Sequence, residues 1–314
     1  MKTLNIAVIG AGMAGLTAAM ALKEAGHGVT VFDKARGPGG RMSTRRQATA
    51  AGDLAFDHGT PAFTARDADF QAQVEAWILA GVVEPWRAGG EGLYVGVPGM
   101  NAPLKAMAAE LDCRWSVAVT GLTQDQSGWG LAGAEGDGPF DAIILAIPAE
   151  QAAILLDRVE TGLAERARAS ISTPCWSLML AFDGPVETAG AVVAGQGGAA
   201  WAGRQTSKPG RSGPEAWVVQ ASPEWSSAQL ELTPDEAAAM MLDQFQAAVG
   251  SALPGLVSAV AHRWRYALAG STEGPAAVWV PELALGVCGD WLGGASVEGA
   301  WRSGLAVSEL LSAS

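Results

Sequence analysis

The sequence predicts an α/β protein of two domains, one built on a parallel sheet and one of α+β type on a mixed or antiparallel sheet. Three observations predict it. A strand-like run, Leu4–Ile9, leads directly into a glycine-rich turn and a segment with helical spacing. A continuous apolar run, Phe140–Ile147, reads as a strand buried on both faces, as parallel strands are. Between residues 170 and 267 the pattern changes to a series of shorter strand-like runs, and the first pattern returns at the C-terminus.

The elements follow in chain order. Met13–Ala25 places Leu16, Ala19, Met20 and Leu22 at helical spacing, and Gly26 is a stop signal. Val29–Phe32 is a second strand ending at Asp33, so this stretch forms one βαβ unit. Asp67–Ala80 reads as a helix with Phe70, Val74, Trp77 and Ile78 on one face, and Asn101–Leu111 as another. Cys113–Leu122 reads as one strand, and a helix from Glu150 to Leu156 follows Pro148. Strands are expected at Trp176–Phe182, Gly190–Ala194, Ala216–Ala221 and Ser258–Tyr266. A helix over Pro234–Val249 interrupts them, with Thr233 as its N-cap. Gly195–Gly213 is glycine-rich and polar and reads as a mobile loop. Arg204 and Lys208 within it are expected in solvent, with a substrate phosphate as the alternative partner. Leu283–Val287 is the last strand and Ser296–Leu311 the last helix. The first domain is therefore discontinuous, over residues 1–62, 94–165 and 269–314, and the second takes residues 63–93 and 166–268.

Composition narrows the function. Of 314 residues, 49% are hydrophobic and only 17% charged, which suits a packed core rather than disorder. A net charge of −12 repels phosphate backbones, so nucleic acid is not an expected partner. A local basic patch for a phosphorylated small molecule stays compatible with it. Cys113, Cys175 and Cys288 are scattered and odd in number, against a disulfide framework or a thiolate zinc site. His27, His58 and His262 are too few for a multi-histidine centre, so no metal is expected. The N-terminal apolar run is too short for a secretory leader, and no stretch approaches the ~20 apolar residues of a membrane span. A soluble, cytoplasmic protein is expected.

Four motifs carry chemistry. In Gly10-Ala11-Gly12-Met13-Ala14-Gly15, between a strand and a helix, Gly10 permits a tight turn, Gly12 lets a pyrophosphate approach the backbone, and Gly15 lets the helix pack. The helix N-terminus favours the diphosphate, and Asp33 accepts from a ribose diol. The alternative is a plain packed turn. Arg36-Gly37-Pro38-Gly39-Gly40-Arg41 follows, which nicotinamide dehydrogenases do not need. Phe56-Asp57-His58-Gly59 is third, with His58 equally readable as a structural donor. Fourth is Cys288-Gly289-Asp290-Trp291 with Val297-Glu298-Gly299-Ala300-Trp301, where Asp290 meets a ribityl hydroxyl or the diphosphate, and the helix N-terminus stabilises negative charge on a reduced ring. A glycine-aspartate motif near one end paired with GxGxxG near the other is far more specific than either alone.

Four further stretches narrow the match: Tyr94–Asn101 (YVGVPGMN), Cys175-Trp176-Ser177, Ala216–Ser222 (AWVVQAS) and His262–Ala267 (HRWRYA). Together these motifs resemble bacterial renalases, a branch of the amine oxidase superfamily, over nearly the whole chain. The resemblance implies a Rossmann-type FAD-binding domain beside a substrate domain, in the two-domain fold of amine oxidases and PHBH-like enzymes. It implies non-covalent FAD held by Gly10, Gly12, Met13, Ala14, Gly15, Asp33, Lys34, Gly40, Arg41, Met42, His58, Gly59, Val117, Gly289, Asp290, Val297 and Glu298. Val117 belongs to the strand that contacts adenine in this class. The implied reaction oxidises the 2- and 6-dihydro isomers of NAD(P)H to NAD(P)+ by hydride transfer to flavin N5, and O2 becomes hydrogen peroxide. Thr60, Gln220, His262 and Trp291 are the expected substrate-side residues. This chain has Thr60-Pro61-Ala62 where renalases commonly carry Ala-Gln-Tyr, and Gln220 where they commonly carry histidine.

A dihydropyridine becomes aromatic on losing hydride, so such a site needs no strong side-chain base. Trp176, Trp217, Trp264 and Trp291 suit an aromatic wall or ordinary core packing. His262, Trp264 and Tyr266 alternate with Arg263 and Arg265, so the two sets occupy opposite faces. Two other functions stay open: an FAD-dependent amine oxidase or related small-molecule oxidoreductase, and a non-catalytic flavin-binding protein. Many amine oxidases place a lysine near flavin N5 from the substrate domain, and Lys208 is the only lysine in the second domain here.

Overall fold

The computed structural model describes residues 2–49 and 52–314. β1 (Asn5–Ile9), α1 (Met13–Glu24) and β2 (Gly28–Asp33) form a parallel βαβ unit. A hairpin of β3 (Arg45–Thr49) and β4 (Gly52–Phe56) follows. Next come α2 (Ala68–Leu79), the short pair β5 (Val83–Pro85) and β6 (Tyr94–Gly96), α3 (Ala102–Ala109) and β7 (Asp112–Trp115). A second hairpin, β8 (Gly121–Asp125) and β9 (Gly128–Ala132), precedes β10 (Ala142–Leu145), α4 (Ala149–Leu156) and α5 (Thr161–Ala169). The middle of the chain holds β11 (Thr173–Phe182), β12 (Val192–Ala194), β13 (Trp201–Arg204), β14 (Glu215–Gln220), α6 (Pro223–Ala228), α7 (Pro234–Val249) and β15 (Leu256–Leu268). The chain closes with β16 (Ala277–Val280), β17 (Leu285–Cys288), α8 (Asp290–Gly293) and α9 (Val297–Ser312).

Two sheets organise these elements. The first runs β16-β17-β10-β1-β2-β7 and is parallel except for the edge strand β16. β1 and β10 are buried on both faces, which explains their unbroken apolar sequence. From β1 the chain crosses through α1 to β2 on one side, while β10 lies on the other. Open parallel sheets bind ligands at such a switch point, beyond the carboxyl ends of the strands. The second sheet is antiparallel, β12-β13-β14-β11-β15. Leu178, Leu180 and Phe182 of β11 pack in one core with Met241 and Phe245 of α7, while Met179 and Ala181 join Leu54 and Phe56 of β4 in another. The fold is thus a Rossmann-like layer joined to an antiparallel-sheet layer. No helix of the described residues is long and apolar enough to cross a membrane.

α7 spans Pro234–Val249 with a full capping box: Thr233 Oγ1 accepts from the Glu236 N–H, and Glu236 accepts from the Thr233 N–H. Two expectations need correction. Cys113–Leu122 is not one strand. β7 ends at Trp115, Ser116 turns with a φ of 61°, and β8 begins at Gly121 in a separate hairpin. Nor is Gly195–Gly213 a plain loop. It contains β13, an inner strand of the second sheet between β12 and β14, flanked by one-turn helices at Gly197–Ala199 and Gln205–Ser207.

Candidate active site

A cleft of about 2120 Å³ opens between the two sheets. Ordinary small-ligand pockets take roughly 300–1,000 Å³, so this one has room for a large cofactor and a second molecule. One wall comes from the carboxyl ends of the parallel strands: Gly10 after β1, Asp33 ending β2, Ala146 and Ile147 after β10, and Gly289 after β17. The facing wall comes from β11, β14 and β15, through Trp176, Gln220, His262 and Trp264.

The glycine turn shows why each glycine is there. A Cβ at Gly10 would stand 2.4 Å from the Ala146 carbonyl oxygen, and one at Gly15 would stand 1.9 Å from the Gly10 oxygen. Protein packing therefore dictates both. A Cβ at Gly12 would meet nothing within 4 Å, and Gly12 lines the cleft. Its openness fits a ligand that comes against the backbone. α1 starts here without a side-chain cap, leaving first-turn N–H groups for an anion. Asp33 braces the turn by accepting from the Ala11 and Ala35 N–H groups at 2.7 Å each. Arg41 and Asp290 meet across the cleft in a two-bond pair, at 2.7 and 2.6 Å. The glycine-arginine motif near one end of the chain is thereby fastened to the glycine-aspartate motif near the other. The open Gly12, the uncapped helix and this pair all suit a dinucleotide cofactor.

The Asp57–Thr60 loop is pinned at every residue. Asp57 is fully buried and accepts from Thr44 Oγ1 at 2.8 Å, the Met100 N–H at 2.9 Å, Lys208 Nζ at 2.9 Å and Arg211. Burial alone would raise its pKa, but Lys208 and Arg211 outweigh that and hold the carboxyl below its ordinary value. The His58 carbonyl accepts from Trp264 Nε1 at 2.8 Å and the Gly59 carbonyl from Gln220 Nε2 at 2.6 Å. The Thr60 N–H donates to the Arg41 carbonyl at 2.8 Å. His58, His262 and Trp264 form a mutual aromatic cluster with ring centroids 4.7–5.0 Å apart. Burial, then His262 and Arg45, push the His58 pKa down to about 4. Burial, then Arg45, lower that of His262. Both imidazoles are neutral near pH 7.

The cleft gathers most of the residues singled out in the sequence. Gly10, Gly12, Met13, Ala14, Asp33, Lys34, Gly40, Arg41, Met42, His58, Gly59, Val117, Gly289, Asp290 and Val297 line it, as do Thr60, Gln220 and His262. Three do not. Gly15 does not line the cleft and is required by packing. Glu298 turns aside to accept from the Arg66 and Asp67 N–H groups at 2.6 and 3.1 Å. Trp291 corrects the expectation of a substrate-side role: it is 1% exposed, packed in the core behind β10 and β17, and is not among the residues that line the cleft.

Lys208 and Arg204 are likewise not solvated loop cations. Lys208 is sealed against Asp57, and Arg204 lies beside Glu215 and over the Trp217 ring. Val117 reaches the cleft from an irregular segment rather than a strand. The Asp57 cluster escaped sequence reasoning because Lys208 lies 151 residues from its partner. Arg45 escaped it because β3 went unrecognised, although Arg45 to Thr49 followed by Gly52 to Phe56 has the length of a short hairpin.

Fold and cleft together define a protein with a Rossmann-like nucleotide-binding layer facing an antiparallel-sheet layer. Residues 85–312 match the flavin containing amine oxidoreductase family and residues 8–76 the NAD(P)-binding Rossmann-like domain, and the chain belongs to the former family. Over 48 residues it is 52% identical to an L-amino-acid oxidase of Daboia russelii, a stretch of 14% of this chain and 10% of that one. The matched segment thus spans a tenth of that relative's length. Solved structures agree in fold. A candidate protoporphyrinogen oxidase from Exiguobacterium sp. 255-15 superposes with a TM-score of 0.75 at 10% identity, covering 100% of both chains. Cyclohexylamine oxidase from Brevibacterium oxydans IH-35A gives 0.72 at 13% identity over 99% of both, and putrescine oxidase bound to putrescine 0.66 at 14% over 100% of both.

Proposed function

We propose that the protein is a renalase-like FAD-dependent oxidase that converts the 2- and 6-dihydro isomers of NAD(P)H to NAD(P)+. A bound flavin would supply hydride acceptance at N5, with O2 as the electron acceptor that gives hydrogen peroxide. The observation that carries this reading is the composition of the substrate wall. Among the described residues lining the cleft, those from β11, β14 and β15 offer indoles, a phenol, a thiol, an amide, arginines and a neutral imidazole, with no lysine and no carboxylate. A ring that gains aromaticity by giving up hydride needs orientation rather than a base, and this wall supplies orientation.

Gly10, Gly12, Met13 and Ala14 would hold the diphosphate of FAD, and Asp33 the adenosine ribose. Arg41, Asp290 and the start of α9 at Val297 would face the rest of the cofactor. Cys175 is the cysteine lining the cleft, and burial pushes its thiol up to about 11. A thiol held protonated is a poor tether, which supports non-covalent binding. Gln220 serves as a positioning residue, since its amide already holds the Gly59 carbonyl.

Amine oxidation is the second reading, favoured by the family match. Against it, Lys208 is shut away beneath the Asp57 loop and does not reach the cleft.

Flavin-loaded protein mixed anaerobically with each dihydro isomer tests the proposal. Rapid bleaching of the visible flavin band, then peroxide once oxygen is admitted, is expected. Bleaching by primary amines and by neither isomer would overturn it in favour of the second reading.

A further inference from the structure

We propose that Arg45 is the anion-binding residue of the substrate side, taking a phosphate oxygen of the substrate opposite His262. The identity of the ligand as a dinucleotide rests on the function proposed above; the anion subsite itself rests on charge and geometry.

The chain carries a net charge of −12, yet the described lining of its cleft has eight arginines and lysines against two carboxylates. Neither carboxylate is free for Arg45. Asp33 is engaged by backbone N–H groups and Asp290 by Arg41. Arg263 and Arg265 are met by Glu231. Arg45 alone of these arginines both faces the imidazole cluster and has a side chain with no hydrogen bond or ion pair among the described residues.

Its direction follows from the strands. Arg45 and Gln47 share one face of β3. Gln47 Nε2 donates to Ser258 Oγ of β15 at 2.5 Å, which turns that face toward β15. Ser258, His262 and Trp264 share a face of β15 by the same alternation. Arg45 therefore looks across the cleft at His262, and it is near enough to both imidazoles to disfavour their protonation. Neutral imidazoles do not compensate a guanidinium, and His58 Nδ1 is buried there without a hydrogen-bond partner. Arg45 is exposed at the edge of the cleft, and an uncompensated planar guanidinium there suits a phosphate or carboxylate in two-bond geometry and repels a protonated amine. This local positive field within an acidic protein also draws anionic substrate toward the cleft.

The test uses flavin-loaded wild type, Arg45→Gln and Arg45→Lys, titrated with NAD+ and with nicotinamide riboside, which lacks phosphate, while the visible flavin band is followed. Loss of a charged hydrogen bond predicts a Kd for NAD+ raised roughly tenfold in Arg45→Gln, with Arg45→Lys recovering part of it. Binding of the riboside should not depend on Arg45. With the dihydro isomers as substrates, KM should rise far more than kcat falls, and the salt dependence of kcat/KM should flatten. An Arg45→Gln variant that binds NAD+ as tightly as wild type would overturn the subsite while leaving the oxidase reading intact. If neither isomer bleaches the flavin, inorganic pyrophosphate replaces NAD+ as the probe. Arg45-dependent binding then upholds the subsite without the oxidase reading, and Arg45-independent or absent binding overturns it.

Discussion

Lys208 donates its ammonium proton to Asp57 at 2.9 Å with both side chains sealed from solvent, and Arg211 approaches the same carboxylate oxygen. One anion thus sits between two cations, directly beneath the loop that presents His58 and Gly59 to the cleft.

Removing the anion is expected to do more harm than removing either cation. Asp57→Asn leaves two buried cations facing a neutral amide, and breaking a buried pair in this way costs about 3–5 kcal/mol. Lys208→Met leaves Asp57 with Arg211, Thr44 and the Met100 N–H, so its cost should be smaller. Urea unfolding of the two variants measures this order; Lys208→Met being the more damaging would show that the lysine matters for packing rather than charge. The acid limb follows from the same cluster. The folded Asp57 carboxyl lies below its ordinary value, so its contribution is present above the unfolded pKa of about 4 and is lost as pH falls below it.

His58 predicts a separate pH window. Its folded pKa of about 4 lies below the unfolded value of 6.5, so the unfolded chain gains a proton first as pH falls. The stability it confers is complete above pH 6.5 and fades between there and about 4, by roughly 3 kcal/mol at most. The titratable and charged groups facing it are His262, Arg45 and Asp57, and the first two reinforce its neutrality. His58→Phe should reduce the slope of the unfolding free energy across pH 4–6.5 to the part that His262 contributes, while leaving the separate loss below 4 that belongs to Asp57. Stability that keeps the wild-type slope in this window would mean that His58 titrates normally.

Local chemistry wrote some of this fold plainly into the sequence. α7 was legible to the residue because Thr233, Pro234 and Glu236 spell out its start. β1, α1 and β2 were legible because a buried strand, a glycine turn and a helical stripe follow one another without interruption. Strand β7 was read too long because the apolar spacing of Val117, Val119 and Leu122 continues past Ser116, and only the backbone turn there ends it. The charged part of the site was the least legible. A lysine in a glycine-rich polar stretch looks solvated, and nothing near Lys208 in the chain announces Asp57. Trp291 adjoins Asp290 and so inherited an expectation of function, but successive side chains there point to opposite sides of the turn. Asp290 reaches Arg41 in the cleft and Trp291 enters the core.

The glycine turn yields the sharpest separation of folding from binding. At Gly15 a methyl group would stand 1.9 Å from the Gly10 oxygen, a backbone atom that cannot swing aside. Gly15→Ala must push α1 off the sheet, and overpacking of this kind costs about 1–3 kcal/mol or more. It should lower Tm with or without flavin. At Gly12 the backbone φ is −84°, open to any residue, and an added methyl group meets no protein atom within 4 Å. Gly12→Ala should leave the flavin-free protein as stable as wild type, yet the methyl group would occupy the space through which a diphosphate reaches the helix N-terminus. Thermal unfolding and flavin titration of both variants, each stripped of cofactor and then reloaded, decide the matter. Weakened flavin binding in Gly12→Ala at unchanged flavin-free Tm is the expected result. Undiminished flavin affinity in that variant would place the cofactor's diphosphate away from this turn.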